Sequence, residues 1–489
     1  MKKSTVFVTG LISGIGLGGC TLSDADKSAD KPNIIFIFAD DLGYGDLECY
    51  GSTVNRTPNL DQLAQDGIRF TDFYSAGANS SPSRAGLLTG RHPIRMGINN
   101  VFGPQSLTGI PTSEIKISQI LQQQGYYTGI VGKWHLGHMH EYLPLQNGFD
   151  EFFGSLFVHD QASLAYMRGN KVEQLYVNVD SITYTYTQET LRFLDKNKDK
   201  RFFLYLPHCM PHVPLGATEN FRGKSANGLY GDVIEELDWS VGQVLKKLDE
   251  LGLDNNTIVV FASDNGPWII EGPNGGVPTP YTGGKNDYWD GGQRVPAIIR
   301  WKDKIRGGQV NTDIATMMDW FPTFANIAGA SDAIPTDRII DGCDITQVLL
   351  GTGQRANQEF AYLHYGRLRA FRLEDWKITL PQPEQRGNFW TVDVPAHDTL
   401  FFNLRNDSYE RNDLKDKYPA EYQATLAKMN IFAETIKEVP PSMVLSNNQG
   451  PQLLSQERAT AINEAIAKGI EPKSASYVSR TQNGQAGFR

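Results

Sequence analysis

The folded part of the chain opens with an unbroken apolar run, Asn33-Ile-Ile-Phe-Ile-Phe-Ala39, bounded by Pro32 and by Asp40-Asp41. A run of that length without polar alternation predicts a central parallel strand buried on both faces. Residues 202–206 and 257–262 repeat the pattern, and the second run ends in Ser263-Asp264-Asn265-Gly266. Residues 68–74, 127–131 and 295–299 also read as strands. Between them the apolar period changes to that of helices. Thr57-Pro58 opens a helix through Leu60, Leu63 and Ala64 that stops at Gly67. Residues 113–124 put Ile117, Ile120 and Leu121 on one face, and 187–195 and 313–328 read as helices. The most periodic segment is 229–251, where Val233, Leu237, Val241, Val244, Leu245 and Leu248 recur at helical spacing. Strands alternating with helices predict an α/β fold built on a doubly wound, mostly parallel sheet.

Near residue 350 the texture changes. Residues 368–380 and 398–404 read as short strands of an antiparallel sheet, and 418–437 as a helix packed on it. The expected organisation is a large α/β domain over 32–355, a smaller α+β domain over 356–445, and a polar extension over 446–489 with one helix over 455–468.

The first twenty residues fall outside that pattern. Lys2 and Lys3 precede a Gly-rich apolar run from Val6 to Leu17, too short to span a membrane. Leu17-Gly18-Gly19-Cys20 reads as a lipobox, which predicts a signal peptide over 1–20, lipidation of Cys20 and a polar tether over 21–31. The chain is then an exported lipoprotein, periplasmic or held at the outer membrane, touching lipid only through this anchor. Gly18 is a less usual lipobox residue, which leaves plain secretion as the alternative. Three cysteines remain, Cys49, Cys209 and Cys343; an odd number cannot all pair, so buried thiols with at most one bridge are expected. Their spacing suggests no zinc site. The 489 residues carry a net charge of −9, which argues against nucleic acid as a partner and requires any anionic substrate to meet a local positive pocket.

Two features carry chemistry. In open α/β sheets the site lies beyond the carboxyl ends of the strands. Two of the strongest strands end there in hard oxygen donors, Asp40-Asp41 and Asp264-Asn265. One such pair alone is usually a turn or cap; two pairs at equivalent strand ends suit Ca²⁺ or Mg²⁺. The second feature is Ser80-Ser-Pro-Ser-Arg84-Ala-Gly-Leu-Leu-Thr-Gly90-Arg91. Pro82 fits the first position of a helix and Gly90 its C-cap. Ser80 is then expected just before a helix N-terminus, where an anion is favoured, with Arg84 pointing back at it.

That string resembles the type I sulfatase signature, Cys/Ser-x-Pro-Ser-Arg-x-x-x-Leu-Thr-Gly. The resemblance spreads from about residue 32 to 415. It includes Gly132-Lys133-Trp134-His135-Leu136-Gly137, Pro211-His212, and Gly283-Gly284-Lys285 followed by Trp289-Asp290-Gly291-Gly292. Arg95-Met96-Gly97 resembles the arylsulfatase A branch, and Leu400 to Leu414 the closing motif of the family. A lone histidine or lysine at these positions would be read as structural; their co-occurrence in order with Ser80 and both acid pairs raises Lys133, His135, His212 and Lys285. His138, His140 and His159 lack that support and are read as structural.

The resemblance implies an alkaline-phosphatase-like fold and a calcium ion, preferred over magnesium, on Asp40, Asp41, Ser80, Asp264 and Asn265. It also implies oxidation of Ser80 to formylglycine (3-oxoalanine), which for a serine-type signature is the work of an anaerobic radical maturase acting before export. Arg84 and Lys133 would hold the reacting oxygens, His212 and Lys285 would protonate the leaving oxygen, and His135 would act as base. Three departures stand out: serine at position 80 where cysteine is commoner, Val158 where a hydroxyl is frequent, and Asp290 where glutamate is usual; the last two are expected to tune the substrate pocket. The expected function is hydrolysis of sulfate esters on a sulfated carbohydrate. The alternatives are a phosphodiesterase or phosphonate monoester hydrolase of the same superfamily, and a non-catalytic glycan-binding lipoprotein if Ser80 stays unmodified.

Overall fold

A computed structural model describes residues 1, 31–104, 106–161, 164–387 and 393–443. The expected signal peptide, lipobox and tether up to residue 30, the extension from 446 and its helix over 455–468 lie outside the described residues.

The strands of the large sheet are β1 (Asn33–Ala39), β2 (Ile68–Phe70), β4 (Tyr127–Lys133), β5 (Glu151–Ser155), β6 (Ala165–Arg168), β7 (Lys171–Leu175), β8 (Phe202–Pro207), β9 (Thr257–Ser263), β10 (Ala297–Arg300) and β11 (Gln309–Asn311); β3 (Phe73–Tyr74) lies outside it. Their order is β11-β2-β10-β9-β1-β8-β4-β5-β6-β7. The central five, from β9 to β5, run parallel. The expected apolar runs form its middle because only strands covered on both faces can be apolar throughout. Along β1 the side chains alternate. Ile34, Phe36 and Phe38 join one core with Trp320, Phe324 and the helix bearing Leu87 and Leu88. Ile35 and Ile37 join the other with the helices Pro58–Gln65, Ile182–Asn197 and Gly228–Glu250.

Several expected elements are corrected. The strand over 68–74 breaks at Thr71-Asp72, where Asp72 turns to the guanidinium groups of Arg294 and Arg372. Beyond it β3 leaves the large sheet to pair with β12 (Ala315–Thr316). The helix expected over 313–328 therefore starts only at Trp320. The strand expected over 295–299 is β10, which starts only at Ala297 and runs antiparallel to its neighbours. The helix over 113–124 shrinks to Ile117–Gln123, and the one over 187–195 grows to Ile182–Asn197. Cys49, Cys209 and Cys343 are free thiols.

The second sheet is antiparallel: β13 (Glu359–His364), β14 (Arg367–Leu373), β15 (Trp376–Thr379) and β16 (Leu400–Asn403), with the helix Pro419–Thr435 packed on it. Both sheets belong to one compact unit that begins at Pro32. The second sheet is joined to the first through Asp290, which is fully buried and accepts hydrogen bonds from the hydroxyls of Tyr74 (3.0 Å) and Tyr362 (2.5 Å) and from Arg294 (2.9 Å). Asp290 thus anchors an interface, and it is not among the residues that line the pocket described below.

Candidate active site

Register fixes the site. Ala39 of β1 lies opposite Ser263 of β9, so the residues that follow, Asp40 and Asp264, emerge as neighbours. The next peptide is tied across the gap: the Asp41 amide donates to Asp264 Oδ1 at 3.1 Å, and Asn265 Nδ2 donates to Asp41 Oδ1 at 2.7 Å. β4 delivers Lys133 and His135, and the segment after β8 delivers His212. The four ends are adjacent in the sheet, and all these side chains are at least nine-tenths buried.

The signature helix spans Ser80–Thr89, with extended Asn79 as N-cap and left-handed Gly90 as C-cap. Ser80 is therefore its first residue, not the one before it, and Pro82 is the third. Proline is tolerated there because the N–H groups of the first turn have no partner in the helix. The Asn79 side chain does not cap the helix; its amide donates to Asn286 Oδ1 at 2.9 Å and to Asn100 Oδ1 at 3.2 Å. Ser80 Oγ donates to Asp264 Oδ2 and accepts from Arg84 Nε, both at 2.8 Å. Arg84 sits one turn along and also binds Asp264 Oδ2 at 2.8 Å.

Charge is paired throughout. Lys133 Nζ lies 2.5 Å from Asp40 Oδ2, and Lys285 Nζ 2.7 Å from Asp41 Oδ2. Burial first, and then Asp40, raises the pKa of Asp264. Burial also raises that of Asp41 against the pull of Lys285. Burial opposes the charge of Lys285, but Asp41 and Asp40 outweigh it and raise its pKa. Both histidines go the other way. Burial, then Lys285 and Lys133, push His212 well below its usual value; burial, then Lys133 and Arg84, do the same to His135. Both are neutral imidazoles at pH 7 in this arrangement.

The hydrogen bonds then assign tautomers. His212 Nδ1 lies 2.5 Å from the Val213 carbonyl and can only donate, which leaves Nε2 to accept from Lys285 Nζ at 2.9 Å. His135 Nε2 donates toward the Phe102 carbonyl at 2.9 Å and Gln161 Oε1 at 3.1 Å, and its buried Nδ1 is left bare. Asp41 and His135 both hold left-handed backbone, φ 65° and 58°. For residues with a side chain that costs roughly 1–2 kcal/mol each, a strain that clusters at functional sites.

Two oxygens test whether a cation fits. Asp40 Oδ1 and Asn265 Oδ1 are buried and have no partner among the described residues. A bare buried acceptor is costly, and an all-oxygen donor set from Asp40, Asp41, Asp264 and Asn265 suits a hard divalent ion. His212 also lies within 4.8 Å of Asp40 and Asp41, but its accepting nitrogen already faces Lys285.

Every site residue expected from the sequence converges on this centre. A pocket of about 450 Å³ opens above it, lined by Ser80, Lys133, His135, His212, Lys285 and by Val158. Among nearby loop residues, Trp268 packs on Lys285 (4.1 Å) and His212 (5.2 Å). Tyr44, Tyr281 and Arg294 stack among themselves instead. His159 meets His212 edge to face, with ring centroids 5.8 Å apart. Sequence reasoning missed Asp160, Gln161, Asn286 and Tyr365, which also line the pocket. Only Asn286, next to Lys285, carried any local signal. The carboxyl of Asp160 is pushed up to about 6 by burial.

Comparison with known proteins agrees with this geometry. The Sulfatase family model matches residues 32–330. The chain is 40% identical over 493 residues to N-acetylgalactosamine-6-sulfatase of Mus musculus, covering 92% of each protein. It is 33% identical to steryl-sulfatase of Homo sapiens, covering 86% of this chain and 91% of that one. A solved structure from work on the metabolism of multiple glycosaminoglycans by Bacteroides thetaiotaomicron matches with a TM-score of 0.76 and 29% identity, over 82% of this chain and 99% of that one. Phosphonate monoester hydrolase of Agrobacterium radiobacter, at 17% identity and a TM-score of 0.58, covers 83% of this chain and 95% of that one and shares the fold alone. The fold is alkaline-phosphatase-like.

A cation at the acid cluster should be visible in stability. Calcium at 100 times its Kd should add about 2.7 kcal/mol to the folded state, raising the thermal midpoint of the full chain, and EDTA should reverse the gain. Asp40→Asn should remove most of it. A midpoint that ignores calcium, magnesium and EDTA alike contradicts the cation reading.

Proposed function

The chain belongs to the sulfatase family and is a sulfuric ester hydrolase; from that premise we propose that it removes sulfate from a sulfated sugar, with calcium on Asp40, Asp41, Asp264 and Asn265 and formylglycine derived from Ser80. The observation that carries this reading is Ser80 Oγ, held at 2.8 Å from both Arg84 Nε and Asp264 Oδ2 at the start of a helix. A plain serine so placed is tied to a guanidinium and a carboxylate and is a weak nucleophile. Formylglycine would supply a geminal diol there, one hydroxyl to attack sulfur and the other to release the sulfate, while the cation would act as Lewis acid toward the ester oxygens.

The remaining work falls to the chain's own residues. The carboxylates of Asp40, Asp41 and Asp264 balance the charges of Arg84, Lys133 and Lys285. A divalent ion would therefore leave the pocket positive, drawing in an anionic ester despite the net charge of −9. Lys133 would neutralise sulfate oxygens. Lys285, which keeps its proton, and His212, whose Nε2 is its hydrogen-bond partner at 2.9 Å, would together bind the leaving oxygen and supply its proton. His135 presents a bare Nδ1 and is suited to take a proton from the second hydroxyl.

The sugar is supported by the 40% identity to an N-acetylgalactosamine-6-sulfatase, so 6-sulfated N-acetylgalactosamine and galactose are the first substrates to try. The reading extends to an exported lipoprotein anchored through Cys20, with Ser80 oxidised before export by an anaerobic radical maturase. Its support is the lipobox and the serine-type signature.

Two measurements test the reaction. Protein from the native host, or co-expressed with a maturase, should cleave 4-nitrophenyl sulfate at least tenfold faster than the matched phosphate; a preference for phosphate would favour the phosphohydrolase alternative. His212→Ala should cut kcat on an alkyl sugar sulfate by at least tenfold more than on the aryl ester, whose leaving group needs less protonation. Equal losses would remove His212 from proton delivery.

A further inference from the structure

The second sheet reaches the pocket through one hairpin. β13 and β14 are joined by only Tyr365 and Gly366, with His364 paired to Arg367 across the turn. Both loop residues are left-handed, φ 46° and 73°. A two-residue turn of that kind is normally filled by Asn-Gly, Asp-Gly or Gly-Gly, because a bulky side chain is penalised there. The penalty for tyrosine is roughly 1–2 kcal/mol. Gly366 obeys the rule: a Cβ there would come within 2.6 Å of the Asn99 side-chain nitrogen, so the tip is seated against the large domain. Tyr365 breaks it.

The strained residue is not hidden in a core that would repay the strain. Tyr365 is 41% exposed, while the adjacent His364 is only 7% exposed and lies with its ring 4.3 Å from that of Tyr365. Its side chain lines the same pocket as Ser80, Lys133, His212 and Lys285. Those four are polar or charged and suit the sulfate end of a substrate. Apart from the imidazoles of His135 and His212, Tyr365 carries the one aromatic ring among the described residues lining this pocket. A pyranose has an apolar face of C–H groups and a polar edge of hydroxyls, and a tyrosine offers a flat apolar surface with a polar tip.

We infer that Tyr365 is the platform on which the sugar ring bearing the sulfate stacks, so that the hairpin tip of the second sheet sets specificity for a saccharide over the bare anion. This rests on the saccharide reading above. Backbone strain is retained at the tip because only an aromatic side chain there contacts the ring.

The test uses binding, so it does not depend on maturation of Ser80. The full chain with unmodified Ser80, in buffer containing calcium, is titrated with inorganic sulfate and with N-acetylgalactosamine 6-sulfate and galactose 6-sulfate. Wild type should prefer at least one saccharide to sulfate. In Tyr365→Asn, which suits the turn better, the ratio of the two affinities should fall at least tenfold while the thermal midpoint holds or rises; Tyr365→Phe should keep most of the preference. An undiminished preference in a folded Tyr365→Asn overturns the platform. A wild type with no preference for either saccharide contradicts the saccharide reading itself, and the platform with it.

Discussion

Three carboxylates stand together beyond the carboxyl ends of β1 and β9 because Ala39 and Ser263 are paired in parallel register. Taking one such charge out of water costs several kcal/mol even after relaxation. The fold answers with Arg84, Lys133 and Lys285, each within hydrogen-bonding reach of an acid. Pairs of this kind are poor sources of stability, since apolar side chains of similar volume would do as well or better. Their presence at the open end of an otherwise apolar sheet is therefore a matter of chemistry. It also explains why the surrounding elements arrive where they do: the signature helix to aim Arg84 and Ser80, β4 to bring Lys133, and the segment before Asp290 to bring Lys285 to Asp41.

The same cluster sets the protonation of its neighbours. Lys285, beside buried carboxylates, keeps its charge, and the histidines near it and near Lys133 lose theirs. Two imidazoles with opposite hydrogen-bonding arrangements result. His212 takes a hydrogen bond from a cation, and the buried Nδ1 of His135 has no partner among the described residues. The two histidines are thus set apart by environment, not by residue type.

Much of this was legible in the sequence, for physical reasons. A strand covered on both faces must be apolar throughout, so β1, β8 and β9 announce themselves, and the acids that end them announce the site. The signature string located Ser80 and Arg84 to within one helical position. What escaped was set by tertiary contacts. The break at Asp72 depends on Arg294 and Arg372, far along the chain. The edge strands β6 and β7 lie in partly exposed, mixed-polarity sequence without a clear period. Asp290 stood out because glutamate is usual at that place in the family, yet its partners Tyr74 and Tyr362 come from β3 and the second sheet. Tyr365 carried no signal at all, since a Tyr-Gly pair does not look like a tight hairpin turn.

The account stands on the side chain at position 80. As serine it is a hydroxyl pinned between a guanidinium and a carboxylate, with no route to release a bound sulfo group. Mass spectrometry of the tryptic peptide spanning residue 80, on protein purified from its native host, measures its chemical state directly. The account predicts a mass lower by two hydrogens, or the corresponding hydrate, at that residue. An intact serine in that material would contradict it and leave a chain that binds its anion without cleaving it.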